Sequence, residues 1–143
     1  KFLERIHRIA QAVTARATAD SPTQEHIALV VLLKSVGALE AYRKLSPTRI
    51  ERRATLDFVL FQSTFPRSLR FCALQTEQLM AQLDQTCRHG EPAVGRAFGR
   101  LASRLAHSDI DEVLDQGLGP YLDSVVTETT RAAALLQRIY FLQ

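Results

Sequence analysis

Residues 21–45 read SPTQEHIALVVLLKSVGALEAYRKL, and how the apolar run inside them is assigned decides the fold. IALVVLL is compatible with a buried strand or with a helix enclosed on all sides. Two features favour the helix. Helical pattern continues directly on the C-terminal side of the run, and the chain offers no second strand to pair with it. The start is also marked: Ser21 suits an N-cap, Pro22 a first helical position, and Gln24 the reciprocal partner of a capping box. The segment is therefore predicted as one helix over 22–45, central in the fold because its first half is apolar all round.

The neighbouring segments repeat this logic. Phe2, Ile6, Ile9, Val13 and Ala17 share one face of a helix over 1–19. Ser46-Pro47-Thr48 restarts the chain into a third helix to about residue 61, with Ile50, Leu56, Val59 and Leu60 inward. Pro66 is expected to open a long helix to residue 88, with Leu69, Cys72, Leu79, Met80, Leu83 and Cys87 as its core stripe and Gly90 as a left-handed cap. Pro92 opens a fifth helix with Val94, Phe98, Leu101 and Leu105 inward, and Ser108 caps a short acidic helix over 109–116. The last helix carries Leu122, Val125, Thr129, Ala132, Leu136 and Ile139 at alternating three and four spacing. The expected class is all-α, a single bundle of about six or seven helices with no sheet.

The 143 residues, 46% apolar and 23% charged, fit one globular domain. The chain starts at Lys1 with a helical pattern already under way, which reads as a fragment of a longer protein. No apolar run approaches the ~20 residues of a membrane span, and no export signal is present. Cys72 and Cys87 fall on one expected helix, where fifteen residues rise by ~22 Å, too far for a disulfide. Unpaired thiols without an export signal point to the cytoplasm. Exposed apolar helix faces would allow self-association.

Charged residues placed in or beside core helices are the candidate site. Glu4 and Arg5 diverge by ~100° on their helix, so they cannot face the same partner; Glu4 can instead pair with Arg8. Glu40 and Arg43 flank Tyr42 in the helix expected to be central. A carboxylate there would be paired or protonated, as a structural ion pair or as a general acid or base with a raised pKa. Arg67 and Arg70, beside Ser68 in Phe65-Pro66-Arg67-Ser68, stand at a helix start. There they either meet this protein's own acids or bind a phosphate or carboxylate. Arg96, Arg100 and Arg104 form a stripe that is a solvated face or a track for nucleic-acid phosphates. A net charge of +3 without a recognition motif argues against the second. Asp109, Asp111, Glu112 and Asp115 are ordinary first-turn acids or ligands for a hard cation. The four histidines show no metal-ligand spacing, no phosphate-loop motif is present, and no cofactor is indicated.

FLERIHRIA at 2–10, LLKSVGALEAYRKL at 32–45, TFPRSLRFC at 64–72 and HSDIDEVLDQGLGPYLD at 107–123 resemble, in order, blocks of the bacterial α-E domain family. Its Glu-Arg motif would be Glu4-Arg5, and the chain looks like the family's C-terminal portion. It departs from the pattern at Ile6-His7, where the family usually has Ala and an acid. The resemblance implies a helical domain found beside or fused to circularly permuted ATP-grasp amide ligases and transglutaminase-like proteins. It thus implies a part in a peptide or amide-bond-forming system. The expectation is an accessory or partner domain with Glu4, Arg5, Glu40, Arg43, Arg67, Ser68 and Arg70 clustered between helices. Two alternatives stand beside it: an enzyme with a buried Glu acid/base and arginines binding an anionic substrate, and nucleic-acid binding through the Arg96 stripe.

Overall fold

A computed structural model gives the fold and describes residues 1–16, 21–86 and 92–142. The described residues form eight helices and no strand: α1 (Phe2–Arg16), α2 (Pro22–Ser35), α3 (Leu39–Leu45), α4 (Arg52–Phe61), α5 (Leu69–Thr86), α6 (Pro92–Ala106), α7 (Ile110–Gln116) and α8 (Leu118–Tyr140). The expected positions of Ala17, Cys87 and Gly90 lie outside the described residues.

Four long helices make the frame. α5 packs on α1 and α6, and α8 closes the ring by packing on both. This is the arrangement of a four-helix bundle. The shorter helices gather on this frame: α4 touches α1, α2, α5 and α7, while α2 also packs on α1, α7 on α8, and α3 on α2. The main core runs from Ile6, Ile9 and Val13 of α1 through Leu56, Val59 and Leu60 of α4 to Leu69 and Cys72 of α5, Leu101 and Leu105 of α6 and Leu122 and Val125 of α8. A smaller core of Val94, Phe98 and Ala132 lies where α6 meets the second half of α8. The side chain of Leu3 packs against both. Buried Thr76 and Thr129 satisfy their hydroxyls by donating to the carbonyls of Cys72 and Val125 one turn back, at 2.8 and 2.7 Å.

Several expectations about the helices are corrected; the helix expected third in the chain, for one, starts at Arg52 and not at Ser46-Pro47-Thr48, which leaves Ile50 in the loop before it. First among the others, residues 22–45 are two helices. α2 ends at Gly37, whose φ of 67° lies in the left-handed region. The Ala38 amide donates to the Leu33 carbonyl (2.7 Å) and the Gly37 amide to the Lys34 carbonyl (3.1 Å), the bonding pattern of a Schellman motif. Its hydrophobic closure joins Leu33 and Ala38, both fully buried. Second, the central helix is α4, with six buried residues, and not α2, which buries Leu29, Leu32 and Leu33 but leaves Ile27 58% exposed. α2 is covered on one side only. Third, the inward face of α5 is Leu69, Cys72, Ala73 and Thr76, while Leu79 is exposed. The periodicity was ambiguous there because apolar residues occur on both faces; packing of α1 and α6 selects one.

Ser21 caps α2 as expected, accepting from the Gln24 amide at 3.2 Å. α7 is capped by Asp109 rather than Ser108: its carboxylate accepts from the amides of Asp111 and Glu112. The Ser108 hydroxyl instead bonds the Arg104 carbonyl and the Tyr121 hydroxyl, both at 2.7 Å.

Candidate functional site

The divergence of Glu4 and Arg5 on α1 is realised. Glu4 is exposed and pairs with Arg8 at 2.7 Å. Arg5 is half-buried: its guanidinium lies 5.7 Å from the centre of the Phe2 ring and stands near the thiol of Cys72, which donates to the Pro66 carbonyl at 3.8 Å. Burial pushes the Cys72 thiol up, with Arg5 opposing it, so the group stays protonated and inert.

The segment between α4 and α5 folds back on itself around Ser68. Its buried hydroxyl donates to the Gln62 carbonyl at 2.6 Å and accepts from the Phe71 amide at 3.0 Å. Ser68 is thus the N-cap of α5, and the helix begins at Leu69 instead of Pro66. Arg67 therefore stands before the helix, outside its first turn. Its side chain reaches across to the end of α2 and brings a terminal nitrogen onto Gly37, where an added Cβ would stand 3.1 Å from Cζ and collide with that nitrogen. A cation opposes the N-terminal dipole of its own helix, but here it meets the negative C-terminal end of another.

Arg5, Arg8 and Arg67 line one cleft of about 260 Å³, with Ile9 of α1 and Ser35 and Val36 at the end of α2. The arginines come from two separated stretches of sequence, and no acidic side chain lines the cleft among the described residues. Arg70 is half-buried in the first turn of α5.

Glu40 and Arg43 take different places. Both are exposed on α3, and the turn at Gly37 rotates Tyr42 inward in their stead. Neither Glu4 nor Glu40 is buried, so the buried acid/base carboxylate expected of a continuous central helix is absent at these positions. Tyr42 packs edge-on against Phe58 at 5.5 Å, and its buried hydroxyl has no hydrogen-bond partner among the described residues. Arg43 lines a second, wider cleft of about 620 Å³ between the start of α2 and the 46–51 loop. There Arg52 faces Glu25 at 3.9 Å and Arg49 faces Glu51 at 3.4 Å. Glu51-Arg52 is a second Glu-Arg dipeptide, a repetition that the sequence shows and that would have drawn attention to this cleft. Gly37 was equally readable as a helix stop.

The remaining charged motifs are largely used by the fold. Arg104 pairs with Glu128 at 2.8 Å and lies over the Tyr121 ring at 4.9 Å. Gly95 and Gly99 leave room for the carboxylates of Asp84 and Glu77 from α5, at 2.8 and 3.4 Å from where a Cβ would stand. Asp111 of the acidic helix takes Arg53 of α4 in a two-point contact of 2.6 and 2.7 Å. That hydrogen bonding holds the Asp111 carboxyl below its ordinary range and raises Arg53. Among the described residues no group of three or more His, Cys, Asp or Glu side chains forms a metal site, and no helix is long and apolar enough to cross a membrane.

An all-helical chain whose Glu-Arg pair sits on its first helix is the class defined so far. The Alpha-E family, a predicted alpha-helical domain with a conserved ER motif, matches residues 1–141, and the chain belongs to it. No curated protein and no solved structure matches the chain.

Proposed function

We propose that this chain is a helical accessory or partner domain of an ATP-grasp-linked, peptide or amide-bond-forming system, working in the cytoplasm. The observation that carries the reading is membership of the Alpha-E family over residues 1–141, to which the resemblance described above attaches ATP-grasp and transglutaminase-like neighbours. The arrangement of arginines is compatible with it. Amide-bond formation handles carboxylates and phosphates, and guanidinium groups are the side chains best shaped to recognise both.

Pull-down of the full-length protein from its native cell, followed by mass spectrometry, tests the reading. The expected result is co-purification of an ATP-grasp or transglutaminase-like protein at near-equal amounts. Absence of any such partner, together with unchanged ligase output when the gene is deleted, would overturn it.

A further inference from the structure

We propose that the cleft lined by Arg5, Arg8 and Arg67 is a binding site for a terminal oxyanion, a carboxylate or a phosphate group carried on a larger molecule. The inference stands on the cleft itself and is independent of the accessory-domain reading.

Convergence is the first argument. Arg5 and Arg8 come from adjacent turns of α1, and Arg67 comes from the loop before α5. Bringing three guanidinium groups to one depression raises their mutual repulsion, which an anion between them relieves. The only carboxylate paired with any of the three among the described residues is Glu4, on Arg8, and that contact is exposed at both ends. Arg5 and Arg67 meet no carboxylate among the described residues.

Preorganisation is the second. Arg5 is half-buried against the Phe2 ring. The Arg67 guanidinium rests against Gly37, in the space that the missing Cβ leaves. A ligand arriving here would have less ordering to do at Arg5, where immobilising a long side chain ordinarily costs about 0.5–1.5 kcal/mol.

Size is the third. At about 260 Å³ the cleft falls just below the range of ~300–1,000 Å³ that encloses whole small molecules. It fits an anionic end group with the rest of the molecule outside. Ile9 and Val36 provide an apolar wall beside the charges, which suits an alkyl stem next to a carboxylate or phosphate.

Calorimetric titration of the intact chain at low ionic strength tests this with three probes: inorganic phosphate, acetyl-dialanine with a free carboxylate, and its C-terminal amide. Phosphate or the free acid is expected to bind, weakening as salt rises, and the amide is not. Binding of phosphate alone assigns a phosphate source, and binding of the free acid alone assigns a peptide terminus. Arg67→Ala and Arg8→Ala change exposed side chains; Arg67→Ala is expected to cut affinity about tenfold, the value of one charge-assisted hydrogen bond. Glu4→Gln is expected to raise affinity, because it removes a competing negative charge and frees Arg8. A purely structural role for the arginines would not produce that gain. Arg96→Ala, outside the cleft, serves as the control. Equal binding of acid and amide, no binding of either anion, or an Arg67→Ala variant that binds like the parent would each overturn the proposal.

Discussion

Replacing Gly37 with alanine tests the turn on which both the division of α2 from α3 and the seat of Arg67 depend. The backbone at 37 has φ of 67°. A residue with a Cβ resists this conformation by roughly 1–2 kcal/mol. Restriction of the unfolded chain returns about 0.4–1 kcal/mol, so the backbone contribution is a net loss of about 1 kcal/mol. The new methyl would also occupy the place of the Arg67 guanidinium. That group can swing away, forfeiting its interaction with the α2 dipole, typically ~0.3–1 kcal/mol. The sum is about 1.5 kcal/mol, or a fall of about 5 °C in Tm for a chain of this size. Chemical denaturation of Gly37→Ala, Arg67→Ala and the double variant separates the parts. The double variant should lose less than the sum of the singles, because the collision is gone, yet keep the backbone penalty. Gly37→Asn in the Arg67→Ala background should recover part of that penalty, since Asn tolerates the left-handed region. A Gly37→Ala protein that melts within about 1 °C of the parent would refute the claim that a left-handed turn ends α2.

Three further outcomes are expected. Ser68→Ala should cost about 2 kcal/mol in urea denaturation, because it removes an N-cap and leaves the Gln62 carbonyl and Phe71 amide without their shared partner; a loss below about 0.5 kcal/mol would contradict the capping role. Tyr42→Phe should be neutral or stabilise by up to about 1 kcal/mol, since it deletes a buried hydroxyl with no partner among the described residues. A clear destabilisation would reveal a bond to Tyr42 Oη. For Asp57, burial raises the folded pKa and Arg53 only partly opposes it. A raised carboxyl favours folding most when protonated, below its unfolded value of about 3.9, and that advantage fades as pH rises through the folded pKa. Asp57→Asn should therefore be more stable than the parent at pH 7, with the gap closing toward pH 3; a pH-independent difference would be inconsistent with this cause.

The elements most legible in the sequence are those where one signal acts alone. The inward stripe of α6 is Val94, Phe98, Leu101 and Leu105, fully buried in the order that periodicity gives. Ser21 beside Pro22 marks the start of α2 for the same reason. Legibility fails where two signals compete. At Gly37, helical pattern on both sides masked a stop, and an eighth helix appeared. At Ser68, the proline two residues earlier looked like a helix start, whereas the buried hydroxyl sets the boundary. The candidate site was legible as a set of residue types and not as an arrangement. Arg5 and Arg67 share a cleft, but Arg43 lines another. Which arginine meets which acid depends on how helices distant in sequence are placed, as Arg53 with Asp111 and Arg104 with Glu128 illustrate.

Leu3 has a consequence for how this protein opens. Among the described residues, it is the one side chain that packs against both apolar cores. A bundle with a smaller core at one end can open there while the other end stays shut. Amide exchange near Val94, Phe98 and Ala132 should then proceed at its own, faster rate. The arginine cleft belongs to the slower-opening end, because Ile9 on its wall is part of the main core. Fraying of α6 and α8 would leave it intact, and Leu3→Ala should widen the difference between the two rates.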